Sequence, residues 1–557
     1  METQFRPRSA AFLLFALTLV APLAADNYPR QPGVDVQSYI FRVTLSDDTD
    51  EIVGETTVDV RFVQDGLESF ALDLASPAGG KGMSVSSVTS GGAAVPFTHR
   101  DDRLLIRLPA PSKTGERAAF TIQYRGVPAG GLNIGKNRYG ERTFFSANWP
   151  DLAHQWLPTI DHPYDKAASE FLVTAPAKYQ VVANGRLEEE IDLGDGRRLT
   201  HWRESVPIAT WLDNIGVAQF SVRHFGVAAG VPLQTWVFHQ DRDSGIAIFE
   251  AATRQAIEFF SGRIGPYPYE KLADVEAAGF EGGMEHASAI FFGQRTVSNH
   301  ASPSIVAHET AHQWFGDSVT ESDWDDVWLS EGFATYFTLL ATEYNDGRDA
   351  FVAGLKRSRA TILRTERRQP GVAVVQSKPW KGIPSPIVYQ KGAWALHMLR
   401  GQIGDERFWA GIREYYRRYR DGNASTGDFR KVMEETSGAN LGWFFDQWLY
   451  RAGSPVVEGG WKYNSESKKI EIDLSQTQPG DAYRLPIQVG IAQRIEHIEM
   501  TAKRQRFEIA ADKEPQAVTL DPNTWLLMDA KFPQTIARRQ KTIVCATKTV
   551  SRCDLRE

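Results

Sequence analysis

Two histidines and two glutamates in the middle of the chain are spaced so that they can bind a metal ion and act on water. His308 and His312 are the first and last residues of the pentapeptide HETAH. An α-helix turns once every 3.6 residues, so these imidazoles lie on one face and can bind the same zinc ion. Glu309 lies beside them and can act as general base toward a zinc-activated water. Glu331 offers a third ligand, and three protein ligands with an open fourth position are typical of catalytic zinc.

The flanking residues predict two helices that would position these side chains. Ser302 is suited to cap a helix whose first residue is Pro303, and Gly316 is suited to end it. Ser330 is suited to cap a second helix that carries Glu331 in its first turn. The pentapeptide by itself does not establish a metal site, because histidines also occur on the polar face of ordinary amphipathic helices.

Two further motifs flank this region in a fixed order. GGMEH occupies residues 282–286 and VYQKGA occupies residues 388–393, while WLPTIDHPYDKA occupies residues 156–167. Together with HExxH and the later glutamate, they resemble the M1 family of zinc aminopeptidases. That family usually carries Gly-x-Met-Glu-Asn, HExxH, an acid after eighteen intervening residues, and a tyrosine before Lys-Gly. The resemblance covers roughly residues 40 to 450.

The resemblance implies a zinc aminopeptidase with one zinc ion per chain as its cofactor. His308, His312 and Glu331 would be the metal ligands, and Glu309 would be the general base. Tyr389 would donate its hydroxyl to the oxyanion that develops on the scissile carbonyl. The substrates would be peptides with a free N-terminus.

The GGMEH segment would form the substrate-binding strand. Gly282 and Gly283 allow close approach of a peptide backbone, which can pair with an edge strand. Glu285 would bind the α-amine of the peptide, and Met284 and His286 complete the segment.

The sequence departs from the family pattern at two positions. His286 stands where the family has asparagine, so an imidazole either replaces the usual amide or lies outside the site. A second amine anchor, usually Gln or Glu, would align near residues 146–149, which contain neither. Asn148 is a candidate there, and otherwise amine binding rests on Glu285.

Composition and hydrophobic periodicity predict a multidomain α+β protein. The 557 residues have a net charge of −7, which argues against nucleic-acid binding as a main function. We expect an N-terminal antiparallel β domain over residues 26–222, because apolar residues there alternate with polar ones. Residues 223–450 show helical periodicity and would form a thermolysin-like catalytic domain. Residues 451–532 return to alternation and predict a C-terminal β-sandwich, followed by a basic tail over residues 533–557.

The two ends of the chain carry predictions about its location. Residues 1–25 combine basic residues, a short apolar run and small residues, a pattern typical of an export signal. We therefore expect a periplasmic or secreted protein without stable insertion in a membrane. Cys545 and Cys553 could pair in an oxidising compartment or remain free thiols.

Three alternatives remain open from the sequence. A thermolysin-type endopeptidase shares HExxH and the later glutamate but needs no amine anchor, so N-acetylated peptides would distinguish it. Epoxide hydrolysis, a side activity of one M1 branch, is not favoured by any residue here. A catalytically silent peptide-binding scaffold is disfavoured because the ligands, Glu309 and Tyr389 are all present.

Overall fold

A computed structural model describes residues 26–298, 303–375 and 385–534 of the chain. The predicted export signal, the predicted cap Ser302 and both cysteines lie outside these ranges. In the ranges that are described, no helix has the length and apolar character needed to cross a bilayer.

The alternating N-terminal sequence forms β-strands, as predicted. Their bounds are β1 Val34–Thr44, β2 Ile52–Phe62, β3 Ser69–Asp73, β4 Gly82–Ser90, β5 Ala93–Ala94, β6 Phe97–Arg100, β7 Arg103–Arg107, β8 Arg117–Val127, β9 Leu132–Lys136, β10 Arg142–Ser146, β11 Lys166–Pro176, β12 Gln180–Ala183, β13 Arg186–Asp192, β14 Arg197–Ala209 and β15 Ile215–Ala218.

These strands form three sheets. The largest has eight strands in the order β13-β14-β11-β1-β2-β8-β4-β5, and the others have the orders β12-β15-β10-β9 and β3-β7-β6. Neighbouring strands are antiparallel except for β1 and β11, which are parallel. The predicted N-terminal β domain is confirmed, with this one parallel pair as an addition.

A mainly helical region follows and contains a five-stranded sheet of order β16-β17-β18-β20-β19. The strands of this sheet are β16 Phe220–Ala228, β17 Val231–Phe238, β18 Leu272–Ala277, β19 Gly283–Met284 and β20 Ala289–Gly293. Two further strands, β21 Val319–Glu321 and β22 Gly422–Ala424, form a separate two-stranded sheet. The helices are α1 Arg242–Arg263, α2 Gln294–Ser298, α3 Pro303–His312, α4 Trp328–Asp346, α5 Arg348–Arg368, α6 Gly392–Ile403, α7 Asp405–Tyr419, α8 Thr426–Ser437 and α9 Gly442–Phe445. Short 3-10 turns occupy Ala153–Gln155, Thr210–Leu212, His239–Asp241 and Trp324–Asp326, and π-helical turns occupy Ile387–Lys391 and Asp446–Tyr450.

The two helices predicted around the metal motif are present, but two of their ends differ from the prediction. Helix α3 begins at Pro303 as expected and ends at His312, because the chain turns before Gly316, where φ is +119°. Helix α4 begins before Ser330, so this serine does not cap it. A 3-10 turn leads directly into α4, and the cap lies at Asp323, whose carboxylate accepts a hydrogen bond from the Asp325 amide at 3.0 Å. Glu331 lies in the first turn of α4, as predicted.

The C-terminal region forms two further sheets, as the return to alternation predicts. Their strands are β23 Val456–Asn464, β24 Lys469–Gln476, β25 Leu485–Ile491, β26 Arg494–Met500, β27 Arg504–Ala510, β28 Val518–Leu520 and β29 Asp529–Lys531. The strand orders are β27-β24-β23-β29 and β26-β25-β28.

An aromatic core lies behind α3 and α4 and fixes them against each other. Phe315, just after α3, contacts Phe333 of α4 with ring centroids 4.7 Å apart. Phe333 in turn contacts Phe429 of α8 at 5.1 Å. Aromatic pairs at these separations add to the hydrophobic stabilisation of buried rings. The two helices that carry the candidate ligands are therefore packed rigidly.

A buried ion pair holds the π-helical turn that carries Tyr389. The Lys391 ammonium is almost fully buried and lies 2.8 Å from a carboxylate oxygen of Glu366 on α5 and 2.8 Å from the Gly453 carbonyl. Glu366 also accepts a hydrogen bond from Ser454 at 3.1 Å. Burial lowers the pKa of Lys391, and the Glu366 carboxylate opposes this effect. The pair links the turn to α5 and to the start of the C-terminal region.

We predict that Lys391→Met destabilises the protein by about 3 kcal/mol, because it leaves Glu366 buried without its partner. The change in unfolding free energy can be measured by denaturant titration. Lys469→Met is the matched control: Lys469 forms an exposed pair with Glu508, so its loss should leave the free energy of unfolding nearly unchanged. Equal effects of the two substitutions would contradict a structural role for the buried pair.

Candidate metal centre and active site

Three side-chain atoms from α3 and α4 form a small triangle. His308 Nε2 and His312 Nε2 are 3.3 Å apart, and they lie 3.5 Å and 3.4 Å from Glu331 Oε2. Zinc binds histidine nitrogen and carboxylate oxygen at about 2.0–2.2 Å in tetrahedral sites, which places neighbouring ligand atoms about 3.4 Å apart. The observed triangle therefore has the dimensions of three corners of a zinc tetrahedron.

The chemistry of these donors also fits a cation. Glu331 Oε2 is fully buried and has no hydrogen-bond partner among the described residues. Burial acts to raise the pKa of Glu331, but the His308 and His312 imidazoles that face its carboxylate outweigh this effect and lower the pKa to about 2. An ionised carboxylate oxygen without a donor, facing two imidazole nitrogens, is a metal ligand set. These residues therefore fit the zinc ion predicted from the sequence.

Ser330 has a different role from the one predicted. Its hydroxyl lies 3.0 Å from His312 Nδ1, and the Phe315 carbonyl lies 3.3 Å from the same nitrogen. A partner at Nδ1 fixes the ring orientation and directs Nε2 toward the metal. Sequence reasoning missed this contact because it joins residues of two different helices.

Glu309 lies directly against the glycine-rich segment. Its carboxylate belongs to a group with the ligand atoms of His308 and His312, all within 4.8 Å of one another. A Cβ atom at Gly283 would collide with this carboxylate, so only glycine fits here. Burial, reinforced by Glu285, raises the pKa of Glu309 well above its ordinary value. Such a carboxyl group is suited to accept and return a proton.

Glu285 lies beside the ligand set, next to His312 and Glu331. Its carboxylate is within 4.8 Å of ligand atoms of His312 and Glu331 and approaches His312 Nδ1 to 3.9 Å. Burial raises the pKa of Glu285 to about 7. A buried carboxylate with so few donors can bind a positively charged group of a ligand.

Gln313 couples the Glu285 loop to the metal-binding helix. Its amide nitrogen donates to the Glu285 carbonyl at 2.9 Å and to Asp317 at 2.7 Å. Its amide oxygen accepts from the Ser288 amide at 2.8 Å and from the Tyr267 hydroxyl at 3.0 Å. This residue directly follows His312, so the anchor and the ligand helix are held together. Apart from its adjacency to HExxH, nothing in the sequence pattern indicates this role for Gln313.

The GGMEH segment forms the edge of the five-stranded sheet. Gly283 pairs with Phe292, Met284 pairs with Phe291, and the Gly282 carbonyl accepts from the Gly293 amide at 2.8 Å. Strand β19 has a sheet neighbour on one side only, so its other side can pair with an extended peptide.

His286 lies in the core rather than at the surface of the cleft. The side chain is completely buried, and its ring packs edge-on against Phe291 with centroids 4.6 Å apart. Burial lowers the pKa of His286 to about 3, so the imidazole is neutral. Neither ring nitrogen has a hydrogen-bond partner among the described residues.

Tyr389 reaches the metal centre from the π-helical turn. Its hydroxyl donates a short hydrogen bond to Glu331 Oε1, the carboxylate oxygen that is not part of the triangle. The approach depends on two glycines: a Cβ atom on Gly332 would lie 3.0 Å from the Gly392 backbone, and one on Gly392 would lie 3.1 Å from Gly332 Cα. Glycine at both positions lets α4 and the start of α6 touch, which brings Tyr389 to the site.

Asn148, the candidate second amine anchor, is fully engaged elsewhere. The buried amide donates to the Asp213 carbonyl at 2.6 Å and accepts from the Trp156 indole at 2.8 Å. Both hydrogen bonds stay inside the N-terminal β domain. Among the residues considered from the sequence, Glu285 is the one acid placed to bind an amine.

Comparison with known proteins identifies relatives of both the N-terminal β domain and the helical region that carries the metal ligands. The family model for the peptidase M1 N-terminal domain matches residues 36–212, and the model for the peptidase family M1 domain matches residues 249–448. Glutamyl aminopeptidase of Bitis rhinoceros is 29% identical over 56% of this chain and 34% of its own length. Probable aminopeptidase 2 of Sulfurisphaera tokodaii is 27% identical over 79% of this chain and 58% of its own length. The chain thus spans less than two thirds of either relative.

A solved structure also resembles most of this chain. The crystal structure of an M1 zinc metallopeptidase from Deinococcus radiodurans superposes with a TM-score of 0.66 at 26% identity. The match covers 75% of this chain and 93% of that one. With the two family models matching more than half of the chain between them, and with the HExxH and glutamate ligands in zinc geometry, the chain belongs to peptidase family M1.

Proposed function

We propose that this protein is a zinc-dependent aminopeptidase that hydrolyses N-terminal residues from peptides. The observation that carries the proposal is the position of Glu285, a buried carboxylate within 4.8 Å of ligand atoms of His312 and Glu331. A peptide whose α-ammonium pairs with this carboxylate has its first carbonyl next to the metal ligands. Charge pairing of this kind favours a free N-terminus because an uncharged end would leave Glu285 buried without a counter-charge.

The zinc held by His308, His312 and Glu331 would polarise the scissile carbonyl and lower the pKa of a water molecule toward neutrality. Glu309 accepts the proton of the attacking water and then returns it to the leaving amine. Tyr389 donates its hydroxyl to the oxygen on which negative charge develops. Strand β19 pairs with the peptide backbone and holds it in register.

An endopeptidase would need an open path on both sides of the zinc site. The buried carboxylate of Glu285 beside the ligand atoms leaves little room for a chain that continues on the N-terminal side of the cleaved residue, and it would lack a counter-charge there. Its burial and its proximity to the ligands therefore support an exopeptidase. A silent scaffold is disfavoured because the three ligands, Glu309 and Tyr389 converge on one point.

The first test compares free and N-acetylated versions of one peptide. We expect kcat/KM to be about 100-fold or more higher for the free peptide, because acetylation removes the charge that pairs with Glu285. Glu285→Gln should reduce this preference, whereas Glu281→Gln, which alters an exposed acid of the same loop, should retain it. Equal cleavage of the two peptides by the parent protein would refute the aminopeptidase proposal.

A second prediction concerns the general base. Glu309→Gln should retain bound zinc, because Glu309 is not a member of the ligand triangle, and should lower kcat by about 100-fold or more. Elemental analysis and steady-state kinetics of the purified variant measure the two effects. Glu343→Gln, on helix α4 away from the cleft, is the matched control. Near-parent turnover by Glu309→Gln would remove the general-base assignment.

We also propose that the protein is exported, on the strength of the sequence pattern in residues 1–25. N-terminal sequencing of the protein purified from its native cells should find the chain starting near residue 26, because export signals of this kind are removed. An intact N-terminus on cytoplasmic protein would contradict export.

A further inference from the structure

A groove adjoins the zinc site at His308 and Tyr389. It has a volume of about 480 Å³, within the range of small-ligand pockets, and is lined by His308 and Tyr389 at one end. Neither Glu285 nor the GGMEH segment lines it. With the substrate amine at Glu285, a groove that includes the ligand His308 and Tyr389 but not Glu285 is suited to receive the part of the peptide beyond the scissile bond. The argument therefore rests on the proposed aminopeptidase function.

Three helices contribute one face each to the groove. Helix α3 supplies Ile305 and His308, and helix α4 supplies Thr335 and Thr338. Helix α5 supplies residues that recur every three or four positions: Ala350, Gly354, Arg357, Ser358 and Thr361. These spacings are those of a single helical face. The groove is therefore a built feature of the packing of α3, α4 and α5, and the π-helical turn closes its inner end.

The groove offers hydrogen-bond donors that the protein itself does not use. The Ser358 hydroxyl is buried and has no partner among the described residues. Thr335 lies on α4, one helical turn from the ligand Glu331. Its hydroxyl also has no hydrogen-bond partner among the described residues. Arg357 lines the groove and forms no ion pair with a described residue.

In the part of the chain that the structure describes, the groove lining carries positive charge and no negative charge. Among the described lining residues of this groove, Arg357 carries the one permanent charge and no acid is present. An adjoining cavity of about 380 Å³ shares Arg357 and continues outward to Asp346, which does not form an ion pair with it. An arginine with free hydroxyl donors nearby is suited to bind a carboxylate.

We propose that this groove binds a carboxylate on the leaving part of the peptide, and that Arg357 determines this specificity. The preferred substrates would be short peptides whose carboxylate lies within one or two residues of the scissile bond. The carboxylate belongs either to the C-terminus of a di- or tripeptide or to an acidic side chain after the scissile bond. Ser358 contributes a hydrogen bond, and the ammonium end of the same peptide is bound by Glu285.

The test measures peptide binding by calorimetry to the zinc-loaded, full-length Glu309→Gln protein, in which we expect cleavage to be about 100-fold or more slower. One pair of probes is Leu-Ala-Ala and its C-terminal amide, and a second pair is Leu-Asp-Ala-amide and Leu-Asn-Ala-amide. We expect at least one pair to show about tenfold tighter binding of the carboxylate member. The pair that shows the difference identifies which carboxylate the groove recognises.

Variants then assign the preference to Arg357. Arg357→Gln should abolish the tenfold ratio, and Arg357→Glu should reverse it, so that the uncharged peptide binds more tightly. Ser358→Ala should reduce the ratio by a smaller factor. Lys356→Gln removes a charge from the neighbouring position of α5, which lines neither cavity, and should keep the parent ratio.

The outcomes separate this inference from the proposed function. Binding of all four peptides without a carboxylate preference, or a preference that survives Arg357→Gln, overturns the inference and leaves the aminopeptidase proposal intact. A carboxylate preference lost in Arg357→Gln supports the inference, even if the parent protein cleaves none of the peptides and the proposed function fails. Absence of binding by every peptide overturns both.

Discussion

The structure depends on holding three ligand atoms within 3.5 Å of one another inside the protein. Two imidazole nitrogens and a carboxylate oxygen have no reason to converge in this way unless a cation joins them, because each is costly to bury alone. The packing around α3 and α4 serves this constraint. The aromatic core behind the helices fixes their separation, and the contact of Gly332 with Gly392 lets a third element reach the same point.

Three buried glutamates around this point have different partners, and the partners separate their roles. Glu331 faces both imidazoles, so it stays ionised and is suited to bind metal. Glu309 faces the bare backbone of Gly283, and burial raises its pKa, so it is suited to exchange a proton. Glu285 is held by its carbonyl through Gln313, which leaves its carboxylate available to a ligand. One residue type thus supplies a ligand, a base and an anchor through its surroundings.

The regions outside the helical block also contribute to the position of the site. The ammonium of Lys166, at the start of strand β11, donates to the carbonyls of Asp317 and Ser318 at 2.8 Å, just after the ligand helix. On the other side, Lys391 ties the turn of Tyr389 to the Gly453 carbonyl. The first contact connects the ligand helix to the N-terminal β domain, and the second connects the turn of Tyr389 to the start of the C-terminal β region.

The sequence by itself determined the ligand set, the base and the order of the domains. These follow from local rules: helical spacing aligns His308 with His312, and alternation marks strands. Only the tertiary structure decided what each polar group meets. Ser330 was expected to be a helix cap but orients His312, Asn148 is engaged within the β domain, and Arg357 joins the cleft from a helix that carries no motif. Contacts between residues far apart in the chain leave no periodic pattern in the sequence, because they depend on how whole elements pack rather than on spacing along one of them.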